Sequence, residues 1–134
     1  MPGELDLGAL LSNMKPDLHG DIFVFCTIPH DEPLPTATCL LTFREHEGTT
    51  LVMRREDAER AGLRYAFASR LITLTVHSAL DAVGFLAAVT SHLAEAGISV
   101  NAVSAFHHDH LFVPVDRVDE AMAVLQELSA EKDG

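Results

Sequence analysis

Positive charge is scarce in this chain: 9 Lys and Arg stand against 20 Asp and Glu, a formal net charge of −11 over 134 residues. Nucleic-acid binding needs clustered Lys and Arg to neutralise phosphates, and an anionic membrane surface makes the same demand, so neither partner is expected. Long apolar runs are missing too. No stretch approaches the roughly 18 apolar residues of a membrane-spanning helix. Residues 1–7 carry neither a basic segment nor an apolar run of signal length, so a cytoplasmic protein is expected. The chain has 2 cysteines, Cys26 and Cys39, which fall in different predicted strands and form no CxxC pair. They read as reduced core thiols, and a disulfide between them requires the two strands to set them opposite each other. There is no glycine-rich phosphate loop and no recognisable nucleophile motif, so the reading is of a non-enzyme with no catalytic residue and no cofactor.

What is present is enough apolar material for a core: 48% of the residues are hydrophobic. A lone module of about 60 residues would bury only about 60% of its unfolded surface, so two half-size modules packed together are expected rather than beads on a string. Leu5, Leu7, Leu10, Leu11 and Met14 predict a short helix over residues 4–14, ended by Pro16, Asp17 and Gly20. A β-branched and aromatic strand follows at 21–28, then a proline-rich loop at 29–35. A hairpin over 37–45 and 49–53 turns about Glu47 and Gly48, and a short helix at 56–61 stops at Gly62. Residues 71–76 read as another strand. Ser78 or Asp81 is the expected cap of a helix carrying Phe85, Leu86, Val89, Leu93 and Ala96 on one face and ending at Gly97. Residues 97–115 read as strand, polar turn and strand. Asp116 is then the expected cap of a last helix with the stripe Val118, Ala121, Met122, Leu125 and Leu128, followed by a polar tail over 129–134. Strand, helix, strand, strand, helix is a split βαββα sandwich, so the expected fold is α+β and ferredoxin-like. A faint echo between residues 43–58 and 106–121, with gaps that differ by two residues, fits two tandem halves. These are 1–69 and 70–134.

Two stretches invite a functional reading: the polar junction at 77–84 and the histidine-rich turn at 107–110. For His77, His107, His108 and His110 three readings stand. Asp109 can simply bond its local backbone as turn residues do. The turn can touch an effector or another module. Imidazole and carboxylate also suit zinc or nickel, although no known closed-site spacing is matched and no metal is assigned. Strand alternation sets His108 and His110 on one side and His107 and Asp109 on the other. Asn101, in an otherwise apolar strand, reads as a buried amide that needs partners.

Residues 72–78, 93–101 and 104–113 together resemble the ACT domain, a ligand-binding regulatory module. The last of these is similar to the strand-turn-strand of ACT domains in aspartokinases and arginine-sensing CASTOR proteins, where a Thr-Asp pair occupies the turn. Here His108 and Asp109 stand in that place, so the Asp is kept and the Thr is not. The stretch from Phe43 to Val52 resembles the first half of small paired-ACT proteins. The resemblance implies a regulatory protein that binds an amino acid or similar small effector at an interface between modules, as a homodimer or higher homo-oligomer. Carried over by position, its ligand-binding residues are His77, Ser78, Val83, Gly84, Ile98, Asn101 and Asp109. A ligand-free dimerisation module and a His-turn metal binder are the alternatives. A complete ACT module has a fourth strand, and no strand is expected after the last helix, so residues 1–70 are expected to supply it.

Overall fold

The structure, a computed structural model, describes residues 4–36 and 38–133. Its elements in chain order are α1 (Leu7–Asn13), β1 (Lys15–Ile28), β2 (Leu41–Arg44), β3 (Thr49–Arg54), α2 (Arg55–Arg60), β4 (Ala66–Thr75), α3 (Phe85–Glu95), β5 (Asn101–Ser104), β6 (Asp109–Pro114) and α4 (Val118–Asp133). The chain forms two compact units, one of residues 1–20 and 70–134, the other of residues 21–69. The second is thus an insertion in the sequence of the first, and β1 and β4 each contribute residues to both.

In the first unit the strand order is β1-β4-β6-β5. Leu10, Leu11 and Met14 of α1 pack with Ile72 and Leu74 of β4, Phe85, Val89 and Leu93 of α3, Leu111 and Val113 of β6, and Val118, Ala121, Leu125 and Leu128 of α4. The spacing of four along α3, and of three and four along α4, is the apolar stripe that the periodicity predicts. β4 through α4 runs strand, helix, strand, strand, helix, as expected, and β1 is the added strand beside β4. β1 begins at Lys15, earlier than expected, because Pro16 and Gly20 disfavour a helix but are tolerated at the open end of a strand.

The helix ends differ from expectation in instructive ways. Neither Ser78 nor Asp81 caps α3. Its N-cap is Gly84 at φ 91°, which offers no side chain. The chain turns earlier, where Ala82 N–H donates to the Ala79 carbonyl at 3.0 Å, leaving Ser78 and Asp81 too far upstream. At its other end α3 closes as predicted: Gly97, at φ 73°, donates to Ala94 at 2.9 Å and Ile98 N–H to Leu93 at 3.0 Å, the paired bonds of a Schellman stop. Arg117 completes that end, its guanidinium donating to the Ala96 and Gly97 carbonyls at 3.1 Å each. Asp116 is not the cap of α4, because it lies inside a 3₁₀ turn, Val115–Arg117, that leads into the helix. The expected polar tail is helical as far as Asp133. Ser129 anchors this extension, its hydroxyl lying 3.1 Å from the Met14 carbonyl and 3.3 Å from that of Ser12.

In the second unit the order is β2-β3-β1-β4. Val24, Cys26 and Ile28 alternate inward along β1 and meet Leu51, Met53 and Ala58. The internal echo is real, but its register is not the one the sequence suggested. Hairpin β2–β3, at 41–44 and 49–54, matches hairpin β5–β6, at 101–104 and 109–114, with a constant spacing of 60 residues. Both close by the same bond, Glu45 N–H to the Gly48 carbonyl at 2.9 Å and Ala105 N–H to the His108 carbonyl at 3.0 Å.

Candidate functional site

The second turn therefore spans residues 105–108, and Asp109 opens β6 rather than sitting in the turn. Asp109 pairs across the ladder with Ser104 and is 9% exposed. Its carboxylate accepts the Ser104 hydroxyl. Beside it lies a cleft of about 80 Å³ lined by Ser78, Leu80, Phe85, Leu86, Ser104 and Asp109, among others, with no Lys or Arg in its wall. Phe85 and Leu86 are the first residues of α3, and Gly84 gives that helix no side-chain cap. One wall of the cleft is thus a buried carboxylate and the other the positive end of a helix.

The histidines lie on the other side of the hairpin. The Thr73 hydroxyl is 2.8 Å from His19 Nε2 and 2.9 Å from His110 Nδ1, linking β1, β4 and β6. His108 Nδ1–H donates to the Val76 carbonyl at 3.2 Å. The His108 ring centre is 6.5 Å from that of His110 and 5.7 Å from that of His77. Burial, and then the charges of His108 and His19, hold His110 below its ordinary value of 6.5. His107 instead packs edge-on against Phe106 at 5.0 Å. Among the described residues no group of three or more His, Cys, Asp or Glu is arranged to hold a metal ion.

Of the seven residues carried over from the resemblance, the cleft brings Ser78 and Asp109 together, with Gly84 adjoining it through Phe85. His77 is exposed beside His108, and Val83 is 84% exposed. Ile98 is buried in the hydrophobic core. Asn101 is exposed at the start of β5, so the expectation of a buried amide fails: β5 is the edge strand of the sheet, and Asn101 is left open to solvent there. Ser104 was not among the seven. The signal for it was the ladder itself, since a turn at 105–108 sets residue 104 opposite 109.

The second unit departs from this pattern. Its counterpart of Asp109 is Thr49, whose hydroxyl lies 3.5 Å from His30 Nδ1, while His30 Nε2 lies 3.3 Å from the His46 carbonyl. Its counterpart of His108 is Gly48, where an added Cβ would stand 2.8 Å from the Ile28 carbonyl, so close approach of the backbone requires glycine there. Both thiols, Cys26 and Cys39, are free; burial raises each, with the neighbouring thiol acting on Cys26 and Asp57 on Cys39. No helix among the described residues is long and apolar enough to cross a membrane.

The two units share an α+β hairpin architecture, and the first carries a small polar cleft at the start of α3. Comparison with known families assigns this architecture. The ACT domain matches residues 2–70 and again residues 67–127, and the chain belongs to the ACT domain family. ACT domains are commonly regulatory ligand-binding modules. The chain is similar to a solved Vibrio cholerae protein of unknown function described as a possible transport protein: 42% identity, TM-score 0.82, 92% of this chain and 95% of that one covered. It is also similar in fold to an Agrobacterium tumefaciens protein, at 18% identity and TM-score 0.75 over 87% of this chain and 89% of that one. The regulatory subunit of aspartate kinase from Thermus flavus shares the fold at 9% identity, with TM-score 0.61 and coverage of 86% and 95%. No curated protein matches the chain.

Proposed function

We propose that the protein is a non-catalytic regulatory module of two ACT-like halves, 1–69 and 70–134, that binds an amino acid or similar zwitterion. The observation that carries this reading is Asp109: a nearly buried carboxylate, bonded by one serine hydroxyl, facing a cleft with no cation in its wall. Such a group is costly to bury unless a positive partner arrives. An ammonium or guanidinium group supplies it. The ligand's carboxylate is met by the uncapped N–H groups at the start of α3, beside Ser78 and Gly84. His77, Val83, Ile98 and Asn101 enter as the outer part of the site or its support.

About 80 Å³ holds one end of such a ligand, against roughly 300–1,000 Å³ for a complete small-molecule pocket. The remainder is supplied by a second copy of the chain. Leu80, Val83 and Phe106, which line the cleft or adjoin its lining residues in sequence, are 69, 84 and 75% exposed, an apolar rim suited to that role. The counterpart position in the second unit carries Thr49 and His30 in place of a carboxylate, which favours one site per chain.

A thermal-shift screen of the twenty amino acids, nucleobases and divalent metals tests the proposal. A specific amino acid should raise the melting temperature in proportion to the logarithm of its concentration above Kd. A response to none of them leaves the ligand-free dimerisation module, and a response to a divalent metal alone would favour the histidine array.

A further inference from the structure

We infer that the second unit carries a separate site for a small oxyanion, held by Arg54 and Arg60. A cavity of about 350 Å³ in this unit is lined by Thr36, Thr38, Arg54, Asp57, Arg60 and Ala61. It lies on different residues from the cleft at Asp109. Asp57 is 5% exposed and grips both cations: Arg54 Nε at 3.0 Å and Arg60 Nη1 at 3.1 Å. One buried carboxylate thus fixes two guanidinium groups against the same cavity. A guanidinium has five N–H donors. Arg60 gives one of them to Asp57, and its side chain is 74% exposed, so the rest of its fork can be reached from solution.

The chemistry selects the ligand. Two guanidinium groups and two threonines line the cavity, and the N–H groups of Arg60 not given to Asp57 add donors that suit the planar edge of a carboxylate or the oxygens of a phosphate. Asp57 is already engaged by both arginines, so it is poorly placed to recruit a cation. Two arginines on one cavity stand out in a chain of net charge −11. Glu56 is the opposing influence: its carboxylate lies 3.0 Å from Arg54 Nη1, outside the cavity lining, in an exposed pair that solvent screens.

Isothermal calorimetry with inorganic phosphate and with succinate, against sodium chloride at equal ionic strength, tests the inference on the full-length protein. Saturable binding of either oxyanion is expected; phosphate alone would mark a phosphate ester as the natural ligand, and succinate alone a carboxylate. Arg60→Gln, on an exposed side chain, should weaken binding by about tenfold or more, as expected for a lost charge-assisted hydrogen bond. Glu56→Gln should tighten it by releasing Arg54. Circular dichroism would establish that both variants are folded. Absence of saturable binding of both anions, or equal affinity in wild type and folded Arg60→Gln, would overturn the inference.

Discussion

Gly84 stands at φ 91° immediately before α3, in the left-handed region that costs an L residue about 1–2 kcal/mol. A Cβ there would meet only Leu7 Cδ2 at 3.7 Å, an ordinary contact, so the cost of substitution is strain rather than collision. Gly84→Ala should therefore lower unfolding free energy in urea by about 1–2 kcal/mol. Gly20→Ala, where nothing lies within 4 Å, should change it by less than about 0.5 kcal/mol. A second consequence at this scale concerns pH. His110 is held below 6.5 by burial, then by His108 and His19, so the unfolded chain takes up its proton more readily than the folded one. The stability this group contributes is complete above 6.5 and is lost as pH falls from there towards its folded value. Urea melts across that window should show the loss, and His110→Gln should flatten it.

The elements divide into those that local signals specify and those that depend on distant partners. α3 was legible along its face and at its close: Phe85, Val89 and Leu93 mark its buried face and Gly97 its stop, because both signals lie within the helix or two residues beyond it. Its start was not, since a glycine N-cap leaves no side-chain signature and Ser78 and Asp81 offered a false one. The helical end of α4 was hidden for another reason. Residues 129–133 include no large apolar residue, and the hydroxyl of Ser129 finds its acceptors in Met14 and Ser12, far away in sequence. The cleft was legible at Asp109 and Ser78 through the family resemblance, while Ser104 and the exposure of Asn101 waited on the hairpin register. The dependence of residues 70–134 on residues 1–20 is itself testable. Leu10, Leu11 and Met14 are 0, 3 and 2% exposed in the core of the first unit, and β1 lies beside β4. A fragment of residues 70–134 should lack cooperative unfolding and protected amides by hydrogen exchange. In the intact chain Leu125→Ala, at a position with 0% exposure, should cost about 2–5 kcal/mol.

At the scale of the whole molecule, the proposal requires two copies of this acidic ACT-family chain to associate and complete the effector site. Sedimentation equilibrium at micromolar concentration should give at least twice the 14.5 kDa chain mass, and Phe106→Asp should shift the population towards the monomer. The central claim is that Asp109 receives the cationic group of a zwitterion. Calorimetric titration of wild type and Asp109→Asn with the amino acid that most raises the melting temperature tests it most directly. Asn can still accept the Ser104 hydroxyl, so the substitution removes the charge while keeping the ladder. The account predicts binding weaker by roughly 1.5–3 kcal/mol with the fold intact. Equal affinity in the two proteins would contradict it.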